Sequence, residues 1–203
     1  MPKRGLFVVL EGPDKSGKST QAALLARRLG ARRVVHTREP GGTSFAEAVR
    51  RVVLDTRHKV DPMAELLLYE AARAQHTREL ILPALRAGKI VLSERYTLAT
   101  LAYQGYARRM PLPLVRQLNR IATGGLEPDL TIVLDIPESE FGARGRRRKA
   151  DRLESEPARF RKRVRDGYRK LAKGERAVHL LNGRLPVEEV HERIFSLVER
   201  RLK

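Results

Sequence analysis

Short apolar runs alternate with longer stretches of helical spacing along the whole chain. Leu6-Phe7-Val8-Val9-Leu10 is long enough for one buried strand. Arg33-Val34-Val35-His36-Thr37, Lys89-Ile90-Val91-Leu92-Ser93, Asp129-Leu130-Thr131-Ile132-Val133-Leu134-Asp135 and Ala177-Val178-His179-Leu180-Leu181 read the same way. Between them, apolar residues recur at helical intervals. Thr20 to Leu29 forms a helix closed near Gly30. A second helix begins at a Thr43 or Ser44 cap, with Glu47 placed to complete a capping box on Ser44 and Ala46, Val49, Val52 and Val53 facing inward. Asp61-Pro62 opens a long helix to about Arg86, and Gly88 stops it. Thr97 to Arg109 is partly helical. Three more helices follow: one after Pro111 and Pro113 to Gly124-Gly125, one over Pro157–Ala172, and one over Pro186–Arg200. Strands alternating with helices predict an α/β fold with a parallel sheet covered on both faces. No repeat, linker or low-complexity tail divides the chain, so residues 1–203 are expected to form one domain.

Composition narrows the class. Hydrophobic residues are 41% of 203, which argues against disorder. No run of eighteen apolar residues exists, so no membrane partner is expected. The short polar lead Met1-Pro2-Lys3-Arg4 predicts no signal peptide, and the absence of cysteine fits a cytoplasmic protein. The net charge of +18 suits nucleic acid, polyphosphate substrates or simply an arginine-rich proteome. Much of it lies in two places. Residues 142–152 hold Arg144, Arg146, Arg147, Arg148, Lys149 and Arg152 against Asp151 alone. Residues 159–176 hold nine basic residues against Asp166 and Glu175, which reads as the solvated face of a helix.

The chemistry begins after the first strand. Gly12-Pro13-Asp14-Lys15-Ser16-Gly17-Lys18-Ser19 fits G-x-x-x-x-G-K-[ST] at every fixed position, and it lies between a strand and a helix that starts with Thr20. The glycines let backbone N–H groups close on an anion, and the helix start adds its dipole. Lys18 is placed for β and γ phosphates and the Ser19 hydroxyl for a Mg²⁺ shell. The chain is therefore expected to bind a nucleoside triphosphate. Ligands gather at the carboxyl ends of parallel strands, so Ser93-Glu94-Arg95-Tyr96 should share that crevice.

Further motifs follow in order: Thr37-Arg38-Glu39-Pro40-Gly41-Gly42-Thr43, Ala71-Ala72-Arg73-Ala74-Gln75-His76, Glu94-Arg95-Tyr96, Leu101-Ala102-Tyr103-Gln104-Gly105-Tyr106, Ala122-Thr123-Gly124-Gly125-Leu126, and Asp151-Arg152-Leu153-Glu154. With the phosphate loop, this set resembles the thymidylate kinases over nearly the whole chain. The resemblance implies a three-layer P-loop NTPase fold: a five-stranded parallel sheet flanked by helices, with a basic lid at about 142–155. It implies transfer of the γ-phosphoryl group of ATP to dTMP, with Mg²⁺, by a homodimer. Lys18, Arg95, Glu94, Lys15, Arg144, Arg148 and Arg152 take the catalytic roles by this match. Ser19 and Glu94 hold the metal. Tyr69 stacks on the base, Arg73 bonds a base carbonyl, Thr100 and Gln104 line the base pocket, and Tyr103 lies under the sugar. Arg38, Arg50 and Arg95 are placed for the dTMP phosphate, and Asp14 and Glu39 for the sugar hydroxyl or a bridging water.

The chain departs from the family at three points. Glu94 stands where aspartate is usual, moving the carboxylate outward by about 1.5 Å. Tyr69 replaces phenylalanine. Lys15 in the loop coexists with arginines in the lid, and the reading gives the main clamp to the lid. A kinase for another monophosphate is the alternative within enzymes, although Thr100, Gln104 and Arg73 speak against a purine. A nucleic-acid-stimulated ATPase is the alternative outside that class, but no nucleic-acid motif accompanies the charge. His36 and His76 are expected to be structural, since transfer to an already anionic phosphate oxygen asks nothing of imidazole.

Overall fold

The computed structural model describes residues 4–141, 144, 150–173 and 177–203. Five strands form one parallel sheet: β1 (Phe7–Glu11), β2 (Val34–Arg38), β3 (Ile90–Glu94), β4 (Leu130–Asp135) and β5 (Val178–Asn182), in the order β2-β3-β1-β4-β5. The predicted five-stranded α/β sheet is thus present, with β1 at its centre. Its registers Phe7↔Val91 and Val8↔Leu130 hold the phosphate-loop strand between β3 and β4. Side-chain alternation along β1 divides the core. Val8 and Leu10 pack with Leu25, Ile132, Ile194 and Val198 on one face, whereas Phe7 and Val9 pack with Ile81, Leu85 and Tyr96 on the other.

The helices are α1 (Lys18–Leu29), α2 (Ser44–Leu54), α3 (Pro62–His76), α4 (Leu82–Arg86), α5 (Thr97–Thr100), α6 (Leu112–Thr123), α7 (Ala158–Ala172) and α8 (Val187–Leu202). Asp61 caps α3 through Met63 and Ala64, as Asp-Pro at a helix start predicts. The long predicted helix does run to Arg86, but through a π-helical turn at Thr77–Ile81, where Leu82 N–H bonds to Thr77 O. Pro83 accounts for it: its ring crowds the carbonyl four residues back, and a wider turn relieves the clash. A second π segment, Leu101–Ala107, continues α5.

Three local expectations need correction. Thr43 caps α2, accepting from Ala46 N–H at 3.2 Å, so no capping box forms on Ser44. Glu47 instead accepts from Gly42 N–H and the Arg38 guanidinium. Val52 lies on the outer side of α2, because Ala46, Val49 and Val53 already complete the buried stripe. The basic face of α7 is not simply solvated. Arg165 is clamped on Asp135 at 2.6 and 2.9 Å, and Arg161 on Glu138 at 2.7 Å.

Candidate active site

The phosphate loop leaves the end of β1 with Gly12 at φ +133°, and a Cβ there would lie 2.4 Å from Leu134 O. Only glycine fits that approach. Gly17 precedes α1, whose first turn carries Lys18, Ser19 and Thr20. Asp14, Lys15, Gly17, Lys18, Ser19 and Thr20 line a crevice of about 660 Å³ together with Arg38, Glu39, Arg50, Glu94, Arg95 and Arg144. Lys18 Nζ donates to Gly12 O at 3.0 Å, to Pro13 O at 2.7 Å and to Ser16 Oγ at 3.4 Å. Burial, and then the charge of Arg95, push the Lys18 ammonium down to about 7, against the pull of Asp14, Glu11 and Glu94.

Glu94 ends β3 beside Ser19, whose hydroxyl donates to Oε2 at 2.5 Å, while His36 Nε2 meets Oε1 at 3.0 Å. Burial raises this carboxyl, but His36, Ser19 and Lys18 overcome it and hold it below its usual range. A charged carboxylate next to a hydroxyl is a hard oxygen donor pair that suits Mg²⁺. Among the described residues no cluster of three or more His, Cys, Asp or Glu is grouped as a metal site. Such a pair can supply two positions of a Mg²⁺ shell, which in phosphate sites is commonly completed by phosphate and water.

Arg95, directly after Glu94, has φ +73°, a conformation that non-glycine residues adopt at a cost and mostly at functional sites. The turn swings the guanidinium back under the loop. Its Nη1 donates to Gly12 O at 3.2 Å and to Tyr168 OH at 3.1 Å, and its Nη2 to Tyr103 OH at 3.0 Å and to Asp14. Tyr103 OH donates in turn to Asp14 Oδ2 at 2.7 Å. Burial opposes ionisation of Asp14, yet Arg95 and Lys18 hold its carboxyl below the usual range.

A second hollow adjoins the crevice, and both are lined by Asp14, Glu39, Arg50, Arg95 and Asp151. Tyr69, Arg73, Thr100, Tyr103 and Gln104 complete it, with Leu54, Ala99 and Leu153 as apolar wall. Tyr69 and Arg73 come one turn apart on α3, so they share a face. Arg73 is almost wholly buried. Its Nε donates to Glu39 at 2.8 Å, its Nη1 to Glu70, Thr100 and Asn119 within 2.9 Å, and its Nη2 to Tyr96 O at 3.0 Å. Glu39 also meets His76 Nδ1 at 2.9 Å. The sequence-expected Glu39 is thus held by Arg73 and His76, and it fixes the arginine. Gly42 permits this arrangement, since a Cβ there would lie 2.6 Å from the His76 ring. Arg50 donates to Pro40 O at 2.9 Å between the two hollows, and exposed Arg38 pairs with Glu47 at 3.1 Å.

The lid residues divide. Arg144 reaches the crevice, with its guanidinium bonded to Gly183 O at 3.2 Å and paired with Glu140 at 2.8 Å. Arg152 is engaged elsewhere, on Val53 O at 2.8 Å and on Glu65 at 2.7 Å. Arg148 lies outside the described residues. Lys15, at φ +62°, points its Nζ to Phe141 O at 3.4 Å and over the Phe141 ring at 4.1 Å.

Four residues were not singled out from sequence. Glu11, fully buried, accepts Tyr96 N–H at 2.8 Å and Tyr168 OH at 2.8 Å, and burial raises its pKa despite Arg95. An acid closing an otherwise apolar strand was the available signal. Glu65 collects Gln104 at 2.8 Å, Arg108 at 3.0 Å and Arg152 at 2.7 Å. It lies four and eight residues before Tyr69 and Arg73, the same face of α3. Asn119 interrupts the buried stripe of α6. Tyr168 carries no local signal, because its partners are 73 and 157 residues away.

The profile of the family described as Thymidylate kinase matches residues 10–194. A thymidylate kinase of Deinococcus radiodurans is 45% identical over 202 residues, covering 98% of each chain. One from a Synechococcus strain is 47% identical over 201 residues, covering 97% of each. The solved thymidylate kinase of Ehrlichia chaffeensis superposes with a TM-score of 0.79 at 33% identity, over 96% of this chain and 99% of that one. Fold, motif order and full-length identity agree, and the chain belongs to the thymidylate kinase family.

Proposed function

We propose that the chain phosphorylates dTMP to dTDP with ATP and Mg²⁺, taking the polyphosphate in the loop crevice and dTMP in the adjoining hollow. The observation that carries this reading is the set of residues common to both hollows, above all Arg95 tied to Gly12 and Asp14. Donor and acceptor are both anions, so the main task is to hold them together in line. The acceptor oxygen is already charged, and no general base is required. Lys18 and the loop N–H groups hold the β and γ phosphates. Arg95 and Arg50 hold the dTMP phosphate, with Arg38 at the crevice rim. Asp14 keeps Arg95 and Tyr103 in place, and Tyr103 closes the sugar side. Tyr69 stacks on thymine, and Arg73 presents its edge to a base carbonyl, fixed by Glu39, Thr100 and Asn119. Gln104 is oriented by Glu65. Ser19 and Glu94 would hold Mg²⁺, and when bound the ion would supply charge neutralisation at the phosphates. Arg144 and Arg148 supply the lid's cations, with Lys15 as a secondary charge.

Two copies pair through α2, α3 and α6. Support comes from the exposed apolar residues Phe45, Val52, Met63, Leu67 and Ile121 on these neighbouring helices. The absence of cysteine suits work in the cytoplasm, and no described helix is long and apolar enough to cross a membrane. ADP release measured with dTMP, dUMP, dCMP and dGMP in turn tests the assignment. The expected outcome is the highest kcat/KM for dTMP; a purine monophosphate in first place overturns it.

A further inference from the structure

A second cationic cavity lies outside both hollows. Ala107, Arg108, Arg109, Arg159 and Arg163 line about 430 Å³ between the end of the second π segment and the start of α7. Among the described residues no acidic side chain lines it. Two of its arginines are fixed from behind. Arg163 donates Nε to Ala107 O at 3.0 Å. Arg108 lies 4.6 Å over the Phe160 ring and pairs with Glu65 at 3.0 Å and Glu156 at 2.6 Å. The other two, Arg109 and Arg159, are exposed, and their side chains have no hydrogen bond or ion pair among the described residues.

Their placement runs against ordinary electrostatics. Arg159 stands in the first turn of α7, a fifteen-residue helix with no acidic residue in that turn. The helix dipole there favours anions and disfavours a cation. Arg109 is held at φ +63°, off the usual backbone regions, between Arg108 N–H on Tyr103 O and Met110 N–H on Gln104 O. Of the arginines lining this cavity, Glu65 and Glu156 offset only Arg108. The remaining guanidinium groups share one cavity and repel one another until an anion enters. Guanidinium forks match phosphate oxygens in pairs, and several forks around one cavity match more than one phosphate group.

We propose that this cavity binds a small anion with two or more linked phosphate groups, inorganic pyrophosphate or the tail of a nucleotide, at a site separate from catalysis. To test it, wild type is first saturated with ADP and dTMP so that both catalytic hollows are filled, a step that rests on the function proposed above. Inorganic pyrophosphate and, separately, UDP are then titrated calorimetrically. The same is done with an Arg109→Ala/Arg159→Ala variant, which alters only exposed side chains. The expected result is one equivalent bound to wild type, weakening with salt, and at least tenfold weaker in the variant, while kcat and both KM values stay unchanged. Tighter pyrophosphate identifies an inorganic ligand, and tighter UDP a nucleotide; both uphold the site. No saturable binding, or equal affinity in the two proteins, overturns it. A failure of the dTMP kinase reading would show separately, as absent turnover in wild type.

Discussion

Arg95 joins the two hollows at the scale of one residue, bonding the loop through Gly12 and the hydroxyl of Tyr103 at once. On the triphosphate side, the proposal gives Lys18 the central charge. Lys18→Ala is expected to abolish turnover in a folded protein, since one such charge stabilises a phosphoryl-transfer transition state by several kcal/mol, about 3 or more. Near-normal kcat would refute the role. Its pKa makes a second prediction. A lysine lowered from 10.5 to about 7 by folding binds fewer protons than the unfolded chain between those values. It therefore handicaps stability fully below pH 7, and the handicap fades as pH rises toward 10.5. Bound phosphates favour the charged form and raise the pKa again. At pH 8, where a phosphate with a second pKa near 6 holds almost no titrating proton, ATP binding should take up a proton. Calorimetry in buffers of different ionisation enthalpy reads this uptake, and Lys18→Met should remove it. On the acceptor side, Tyr69→Ala and Arg73→Ala should raise the dTMP KM far more than the ATP KM. Equal effects on both substrates would mean the base lies elsewhere. Arg73→Ala also strips Glu39 and Glu70 of their cation, so Tyr69→Ala is the cleaner variant.

At the scale of elements, the question is whether the loop or the lid supplies the main clamp. Lys15 is tethered at Phe141, where the lid begins, and has lysine's single charge. Arg144 faces the crevice from the lid itself. Arginine's fork fits two phosphate oxygens, which a single lysine charge does not. Arg144→Ala with Arg148→Ala should lower kcat by on the order of a hundredfold, as loss of an arginine finger does, and Lys15→Ala only modestly. A more damaged Lys15→Ala enzyme would put the clamp in the loop. Arg152 is left intact in this comparison, because it is one of the cations on fully buried Glu65 and its loss would destabilise the fold.

For the whole molecule, part of the charge of +18 is held in internal pairs and around the crevice. Arg161 and Arg165 pair with Glu138 and Asp135, Arg108 with Glu65 and Glu156, and Arg95 and Arg144 line the loop crevice. The apolar residues left outside are concentrated on α2, α3 and α6, and they prescribe a self-association test. Wild type should elute as a dimer in light-scattering chromatography, and Leu67→Glu as a folded monomer. A wild-type monomer at micromolar concentration would reject the pairing.

The strands and helices were legible in the chain because each depends on local spacing: five apolar runs, the Asp61-Pro62 start, and the glycine stops at Gly30, Gly88 and Gly124. The phosphate loop was legible for the same reason, since its glycines, Lys18 and Ser19 act within one turn of backbone. Motif order added the acceptor residues one by one. Tertiary structure alone decided their partners. Glu94, one methylene longer than the family's usual aspartate, meets Ser19 from 75 residues away. Glu39 turned out to hold Arg73, and Arg152 to hold Glu65 through α2 and α3. Sequence spacing reports which face of an element a side chain takes. Which charges meet across elements depends on how the layers pack and on the cost of leaving a buried charge unpaired, and neither is written in any one segment.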